Sequence, residues 1–412
     1  MTLPPTASLH QAPDCFYSRW QSVNDWLLAK AGFWRPAPFM EPNPVWSLTY
    51  PELADWLENL SEQDCETYQQ QLPQLADVLS RWLPGLNRYR ELVALPGLAS
   101  AEACRDAALP EVAAVDMPGR KRLQAGAFLA AVAPLTHPVL DWCCGKGHLS
   151  RTLARQGDIG VLGWEWDPAL VDDGNRLAGR FQDSVRLCTQ DVMAPELIWP
   201  KGRQGVALHA CGDLHRRLMA LGSAAGAPRL SFSPCCYHLT AAGKYTPMAA
   251  RTRAYPGRLE VSQNELRLAV QETVTAPARV RLQTGQASAW RLGFDVLQRA
   301  LTGNQTYLPV PSHPVRLNAE GFEAFCRWAA ERKQLALPAS VDWAHWEHRG
   351  YQRHRQVRRH ELLRHVFRRP LELWMVLDYA VYLEEQGYRV TLGRFCDRSL
   401  TPRNLLLDAV RG

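Results

Sequence analysis

The stretch that decides the fold is PVLDWCCGKGHLSRTLARQGDIGVLGWEWD, Pro138–Asp167. It opens with a short apolar strand ending at Asp141, turns through Gly145 and Gly147, continues as an amphipathic helix and reaches a second strand closed by Glu165. Strand, glycine turn, helix and strand in that order make a βαβ nucleotide-binding unit. The glycines let a ligand approach the backbone closely, and an acid about 20 residues past the turn is placed to accept hydrogen bonds from a ribose.

Two cofactors use such a unit. A dinucleotide fingerprint requires G-x-G-x-x-G and a helix N-terminus facing a pyrophosphate; here Ser150 replaces the third glycine. S-adenosylmethionine has no pyrophosphate and calls instead for an acid just before the glycines to hold its amino end, and Asp141 supplies one. Downstream, VRLCTQD (185–191) reads as a third strand closing on an acid, GVALHACGDL (205–214) as a fourth, and RLSFSPCCYH (229–238) begins with a fifth. Asp191 falls where an adenine amino group can be hydrogen-bonded. EQGYRVTLGRF and LTPRNLLLDAVR near the C-terminus read as a final hairpin. The expected fold is therefore α/β, a Rossmann-like seven-stranded methyltransferase sheet with its ligand at the carboxyl ends of the strands.

Outward from this sheet, residues 1–115 carry apolar side chains at three and four spacing between prolines and read as a helical N-terminal region. Its tryptophans could stack on bases but are read as core. Residues 116–412 form the catalytic domain, with 245–385 as a helical insertion before the last two strands. In DMPGRKRLQAGAFLAAVA (116–133), Lys121 and Gln124 share a helix face near the cofactor end. Within the insertion, HWEHRGYQRHRQVRRHELLRHVFRR (345–369) is arginine-rich with little interleaved acid. On a helix Arg355, Arg358 and Arg359 share a face with Tyr351, an arrangement suited to gripping phosphates and stacking on bases, so RNA is the expected partner.

Composition is that of an ordinary globular chain: 412 residues, 46% hydrophobic and 21% charged. No apolar run approaches the ~20 residues of a membrane span, and the first residues lack the basic and apolar regions of a signal peptide. Eleven cysteines, partly in adjacent pairs, do not form a secreted disulfide framework. A reducing cytoplasm is expected. The net charge of +6 favours an anionic partner. Oligomeric state is not encoded in any feature of the sequence.

The chemistry is expected in LHACGDL and SPCCYH. His209, Cys211 and Asp213 leave the fourth strand; Cys235, Cys236, Tyr237 and His238 leave the fifth. Three readings compete. In a polar acceptor pocket, His209 or His238 takes a proton from the substrate nucleophile or orients it, Asp213 sets the imidazole tautomer and the cysteines shape the wall. In a metal site, Cys211, Cys235, Cys236, His209 and His238 offer ligands suited to zinc, but adjacent cysteines lack the usual C-x2-4-C spacing, so no metal is assigned. In a purely structural role the cysteines pack as small hydrophobes.

DWCCGKGHLS, LHACGDL, SPCCYH and FCDRSLTPRNLLL together resemble the methyltransferase-like twenty-five family, over Lys121 to Arg411. The resemblance implies an S-adenosylmethionine-dependent methyltransferase with Asp141, Gly145, Gly147, Glu165 and Asp191 at the cofactor. Lys121, Gln124, Cys143, His148, Leu149, Asp167 and His209 complete the expected cofactor set. The chain is also similar, through the glycine-lysine-glycine turn and the Cys-Cys-His element, to tRNA 2′-O-methyltransferases acting on the acceptor stem, in which a second histidine stands at the position of Tyr237. RNA methylation on tRNA or rRNA is the leading expectation. A protein or small-molecule acceptor is the alternative, and a non-catalytic scaffold a third reading that the three edge acids disfavour.

Overall fold

The computed structural model describes residues 15–271 and 278–412. The start of the chain read for a signal peptide, and the end of the expected helix at SQNELRLAVQE, lie partly outside the described residues. The sheet has seven strands in the order β3-β2-β1-β4-β5-β7-β6. They are β1 (Val139–Trp142), β2 (Val161–Glu165), β3 (Val185–Thr189), β4 (Gln204–Cys211), β5 (Arg229–Cys235), β6 (Tyr388–Arg394) and β7 (Leu405–Arg411). β1 to β5 pair in parallel, whereas β7 runs antiparallel to both β5 and β6. The order changes direction at β1, between β2 and β4, which is where a ligand crevice opens above the carboxyl ends of a doubly wound sheet.

Helices α1 (Gly119–Val132), α2 (His148–Gln156), α3 (Pro168–Phe181) and α4 (Asp213–Ala224) alternate with the parallel strands. β1 is buried at all four positions because it lies inside the sheet, with helices on its faces. Phe128 and Leu129 of α1, Leu149 and Leu153 of α2, Val139, Val206 and Leu406 form one continuous apolar layer. Arg151 of α2 is wholly buried, and Asp183 sits 2.7 Å away with its side chain 1% exposed. Asp183 also receives Arg155 at 2.7 Å.

Beyond β5 come α5 (Ala278–Thr302), α6 (Trp343–His365) and α7 (Arg368–Glu385). α7 coincides with the apolar stretch RRPLELWMVLDYAVYLEE and is buried on nearly every turn, packing against β6. The chain divides into two compact units. The first contains the described parts of Met1–Leu28, Glu91–Val274 and Arg368–Gly412, and so carries the whole sheet. The second joins Ala29–Arg90 to the described part of Thr275–Phe367. The boundaries expected at residues 115, 245 and 385 are thus not where the units divide. Trp34, Leu53 and Leu57 are fully buried within the second unit, as are Trp290 and Phe325 around α5; helices distant in sequence bury apolar faces that neither segment could cover alone.

Of the tryptophans expected to be core in residues 1–115, Trp20, Trp26, Trp34 and Trp46 are buried, whereas Trp56 and Trp82 are half-buried. Trp166, just past β2, is 75% exposed. Among the described residues no helix is long and apolar enough to cross a membrane.

Candidate active site

The carboxyl edge begins with the turn after β1. Cys143, Gly145 and Gly147 have φ of 59°, 56° and 69°, so the chain passes through the left-handed region three times within five residues. Space above Gly145 is open, with no atom within 4 Å of where a Cβ would stand. That is the close approach to a ligand for which glycine is suited. Asp141 is 2% exposed, and Ser150 donates to its Oδ2 at 2.6 Å. Burial lifts the Asp141 carboxyl to about 7, the Ser150 hydrogen bond opposing and Glu165 reinforcing the rise. Ser150, the residue that breaks the dinucleotide fingerprint, therefore holds the acid in place.

Glu165 closes β2 and fixes the turn: its Oε2 accepts from Gly145 N at 2.9 Å and its Oε1 from Asp167 N at 3.2 Å. Each carboxylate oxygen retains a second lone pair for a further donor. Asp167 caps α3, accepting from Ala169 N at 2.9 Å. Asp191 is exposed and uses Oδ1 for Met193 N at 2.8 Å, which leaves Oδ2 available. Trp166 and Met193, both exposed, stand next to these acids. Sequence reasoning passed over Trp166, although an exposed aromatic between two edge acids is a legible signal for a stacking surface. His148 starts α2 half-buried, and burial, with Lys121 adding, lowers its pKa to about 4. Leu149 is buried beneath the turn.

β4 carries the second part of the site. Its pairing with β5 slips between Leu208 and Cys211, and His209 has φ 68°. Such a bulge re-aims a side chain at a strand end. His209 Nε2 meets Gln124 Oε1 at 3.2 Å, while Gln124 Nε2 donates to the Leu400 carbonyl at 3.0 Å. Since Leu400 O can only accept, the Gln124 amide orientation is fixed, its oxygen must accept from His209, and the imidazole lone pair belongs to Nδ1. Burial lowers the His209 pKa to about 4, with negative charge at Cys236 opposing and Arg403 and Lys121 reinforcing. Lys121 is itself exposed, so of the pair on α1 it is Gln124 that touches the site directly.

Asp213 was expected to orient a histidine and does not. At the first turn of α4 its Oδ2 accepts from Ala241 N at 2.8 Å and its backbone N–H donates to Leu239 O at 3.0 Å, so it clamps the loop after β5. Gly212 permits this approach: its φ is 57°, and a Cβ there would lie 1.9 Å from Leu239 O. Tyr237 also departs from expectation. It is 3% exposed, its hydroxyl donates to Glu372 Oε1 at 3.2 Å, and its ring packs edge-on against His215, so it is a core residue rather than a catalytic one. A strand-end tyrosine beside two cysteines gave no sequence signal of that inward turn.

Cys236 has φ 50° and is half-buried; Cys235 is buried. The Cys211 and Cys235 sulfurs are 3.5 Å apart. Hydrogen bonds from Cys211 and then Cys235 push the Cys236 thiol pKa down, against burial and with help from His238 and Arg403. His238 is half-buried, and its pKa is lowered by burial first and by Arg267 and Arg403. Arg403 comes from the segment LTPRN (400–404), which also supplies the Leu400 carbonyl; Ser233 Oγ donates to Arg403 O at 3.1 Å. The sequence flagged this segment as a block without assigning its arginine a place.

The arginine segment forms α6 in the second unit. Arg358 pairs with Glu62, and Arg359 donates to the Leu60 carbonyl at 2.8 Å and lies 3.6 Å from Glu62. These two expected substrate contacts are thus partly neutralised by an acid almost 300 residues earlier in the chain. Arg355 is exposed and makes no hydrogen bond or ion pair among the described residues; Arg349 behaves alike. Both line a concavity of about 330 Å³ with Arg353, Arg359, Gln352, Gln356 and the single acid Glu58.

A domain family described as "Methyltransferase domain" matches residues 127–243, from α1 through the loop after β5. Among solved structures, the chain is similar to magnesium protoporphyrin IX methyltransferase from Synechocystis, at 13% identity over 82% of this chain and 99% of that one, TM-score 0.30. It is similar to a candidate RNA methyltransferase from Pyrococcus horikoshii at 17% identity over 36% and 73%, TM-score 0.24. A third is geranyl diphosphate C-methyltransferase from Streptomyces coelicolor, at 17% identity over 39% and 64%, TM-score 0.24. No curated protein matches the sequence. With the matched domain spanning β1 to β5 and the acids Asp141, Glu165 and Asp191 along its open edge, the chain is an S-adenosylmethionine-dependent methyltransferase.

Proposed function

We propose that this enzyme methylates RNA, with tRNA or rRNA as the substrate class, in a reducing cytoplasm and as a relative of the methyltransferase-like twenty-five family. The observation that carries the reading is the α6 concavity: four arginines and two glutamines around one acid, with Arg349 and Arg355 making no ion pair among the described residues. Guanidinium groups in that density suit phosphodiester oxygens, which they engage through two parallel N–H donors.

Bound S-adenosylmethionine supplies an electrophilic methyl group. Asp141 would accept from the amino end of the cofactor, Glu165 from ribose hydroxyls through its remaining lone pairs, and Asp191 Oδ2 from the adenine amino group, with Trp166 beside them as a stacking surface. His209 Nδ1 takes the proton from the acceptor, or orients it, while Gln124 holds the tautomer. At neutral pH His209 is unprotonated, the form this role requires. Most of the acceleration comes from positioning two reactants.

The test is nucleoside mass spectrometry of total tRNA and rRNA from cells with and without the gene. A modified nucleoside absent from the deletion, restored by wild type and not by Asp141→Ala, establishes RNA methylation and names the atom. Identical profiles refute it and direct the search to protein or small-molecule acceptors with labelled cofactor.

A further inference from the structure

The sulfurs of Cys211, Cys235 and Cys236 all lie within 4.8 Å of one another. Methyl transfer to RNA does not itself require three clustered thiols.

The backbone explains the convergence. After the β4 bulge, Cys211 is the registered neighbour of Cys235 on β5. Neighbouring residues on a strand point to opposite faces, and for that reason adjacent cysteines are poor partners on one ion. The left-handed turn at Cys236, φ 50°, breaks the alternation. Cys236 then joins Cys235, and Tyr237 is the residue sent into the core.

Donor chemistry narrows the ligand. Calcium and magnesium take oxygen, whereas thiolates select soft or borderline cations. Tetrahedral zinc with Zn–S bonds near 2.3 Å needs sulfurs about 3.8 Å apart, a spacing that the 3.5 Å separation of Cys211 and Cys235 and the 4.8 Å limit on the trio bracket. Among the described residues these three sulfurs are the ligand set: no histidine nitrogen or carboxylate oxygen lies within 4.8 Å of all of them, so the fourth position of a tetrahedral ion is left to solvent. His209 is engaged with Gln124. We propose that Cys211, Cys235 and Cys236 bind one zinc ion, tying the β4 bulge to the loop after β5. The thiols release their protons to solvent as the ion binds. The role is structural: the ion fixes the bulge that aims His209. The inference does not rest on RNA being the substrate.

The whole chain, purified from zinc-replete cells without chelator, should contain about one zinc per molecule by elemental mass spectrometry, with X-ray absorption showing a sulfur shell near 2.3 Å. Cys211→Ser and Cys236→Ser should each lower zinc below about 0.1 equivalent, while Cys104→Ser, whose thiol faces the Phe395 carbonyl instead, retains it. If the serine variants fail to fold, the wild type still decides: stripping zinc with a chelator should expose three further thiols to a thiol reagent, and adding zinc chloride should mask them again. Folded wild type that holds less than about 0.1 zinc after incubation with zinc chloride and desalting overturns the proposal. So does stoichiometric copper or iron in place of zinc, or zinc that survives the Cys211 substitution.

Discussion

Replacing Asp141 by Asn separates the fold's interest from the cofactor's. The carboxyl is 2% exposed and its pKa stands at about 7 against an ordinary 3.8. A carboxyl whose folded pKa is raised binds a proton in the native state that the unfolded chain has already lost. Stability therefore falls as pH climbs from about 4 to 7 and is level above. About 3 pH units at 1.36 kcal/mol each set the cost of ionising Asp141 near 4 kcal/mol as an upper figure, and relaxation around the charge brings it to about 2–4 kcal/mol. Asn has nearly the same shape and can still accept from Ser150, yet never ionises. Asp141→Asn should accordingly stabilise the cofactor-free protein by about 2–4 kcal/mol at pH 8 and by little at pH 4 to 5.

The same substitution should weaken cofactor binding, because it removes the charge proposed to meet the cofactor's amino group. A hydrogen bond to a charged group is worth about 1.5–3 kcal/mol, roughly 10- to 150-fold in Kd. S-adenosylhomocysteine, which carries the same amino-acid end, is the probe for calorimetry. Wild-type affinity should fall about tenfold per pH unit below 7 as Asp141 protonates, and that slope should vanish in the variant. Thermal melts at pH 5 and 8 provide the stability half. An Asn variant that is less stable than wild type at pH 8, or that binds S-adenosylhomocysteine as tightly, refutes the assignment of Asp141.

Three further outcomes follow from the geometry. His209→Gln should lower kcat by about 10²–10⁴ with the S-adenosylhomocysteine Kd unchanged; and because burial holds the wild-type His209 pKa at about 4, kcat/KM should show no acid limb from it between pH 5 and 8, so a limb centred near 6.5 that disappears in the variant contradicts its protonation state here. Arg349→Glu with Arg355→Glu should reduce the salt slope of log K for single-stranded RNA by at least about 1.4, the contribution of two phosphate contacts, whereas an unchanged slope removes the α6 concavity from the substrate path. Asp183→Asn leaves the fully buried Arg151 guanidinium without its carboxylate partner and should lower stability by about 3–5 kcal/mol in chemical denaturation, since a buried charge loses its compensation; a loss under about 1 kcal/mol would mean that water reaches the arginine.

The parts of this fold that were legible in the sequence are those fixed by neighbours a few residues apart. β1 to β5, the glycine turn and the final hairpin follow from short apolar runs ending in polar residues, and α7 was bounded to the residue by its apolar stretch. The pairing of Ala29–Arg90 with the described part of Thr275–Phe367 was not legible, because each segment shows only an amphipathic face and nothing in either names the face that covers it. Glu62 illustrates the same blindness at the level of charge. The arginine segment has little acid of its own, so it read as an open basic face, while the acid that engages Arg358 and Arg359 comes from a helix elsewhere in the chain.

The active edge fails and succeeds for a more specific reason. His209 stands near the end of β4, but the partner expected for it was the acid four residues on, as though β4 ran straight into α4. The strand instead slips by a bulge, so His209 meets Gln124 of α1 while Asp213 turns to the loop after β5. One backbone irregularity thus decides three things together: the tautomer of the histidine, the clamp on the β5 loop and the meeting of Cys211 with Cys235. A bulge depends on the pairing of two strands, not on the composition of either. Residue types therefore told what chemistry the edge contains, and the register between β4 and β5 decides which of those residues act on one another.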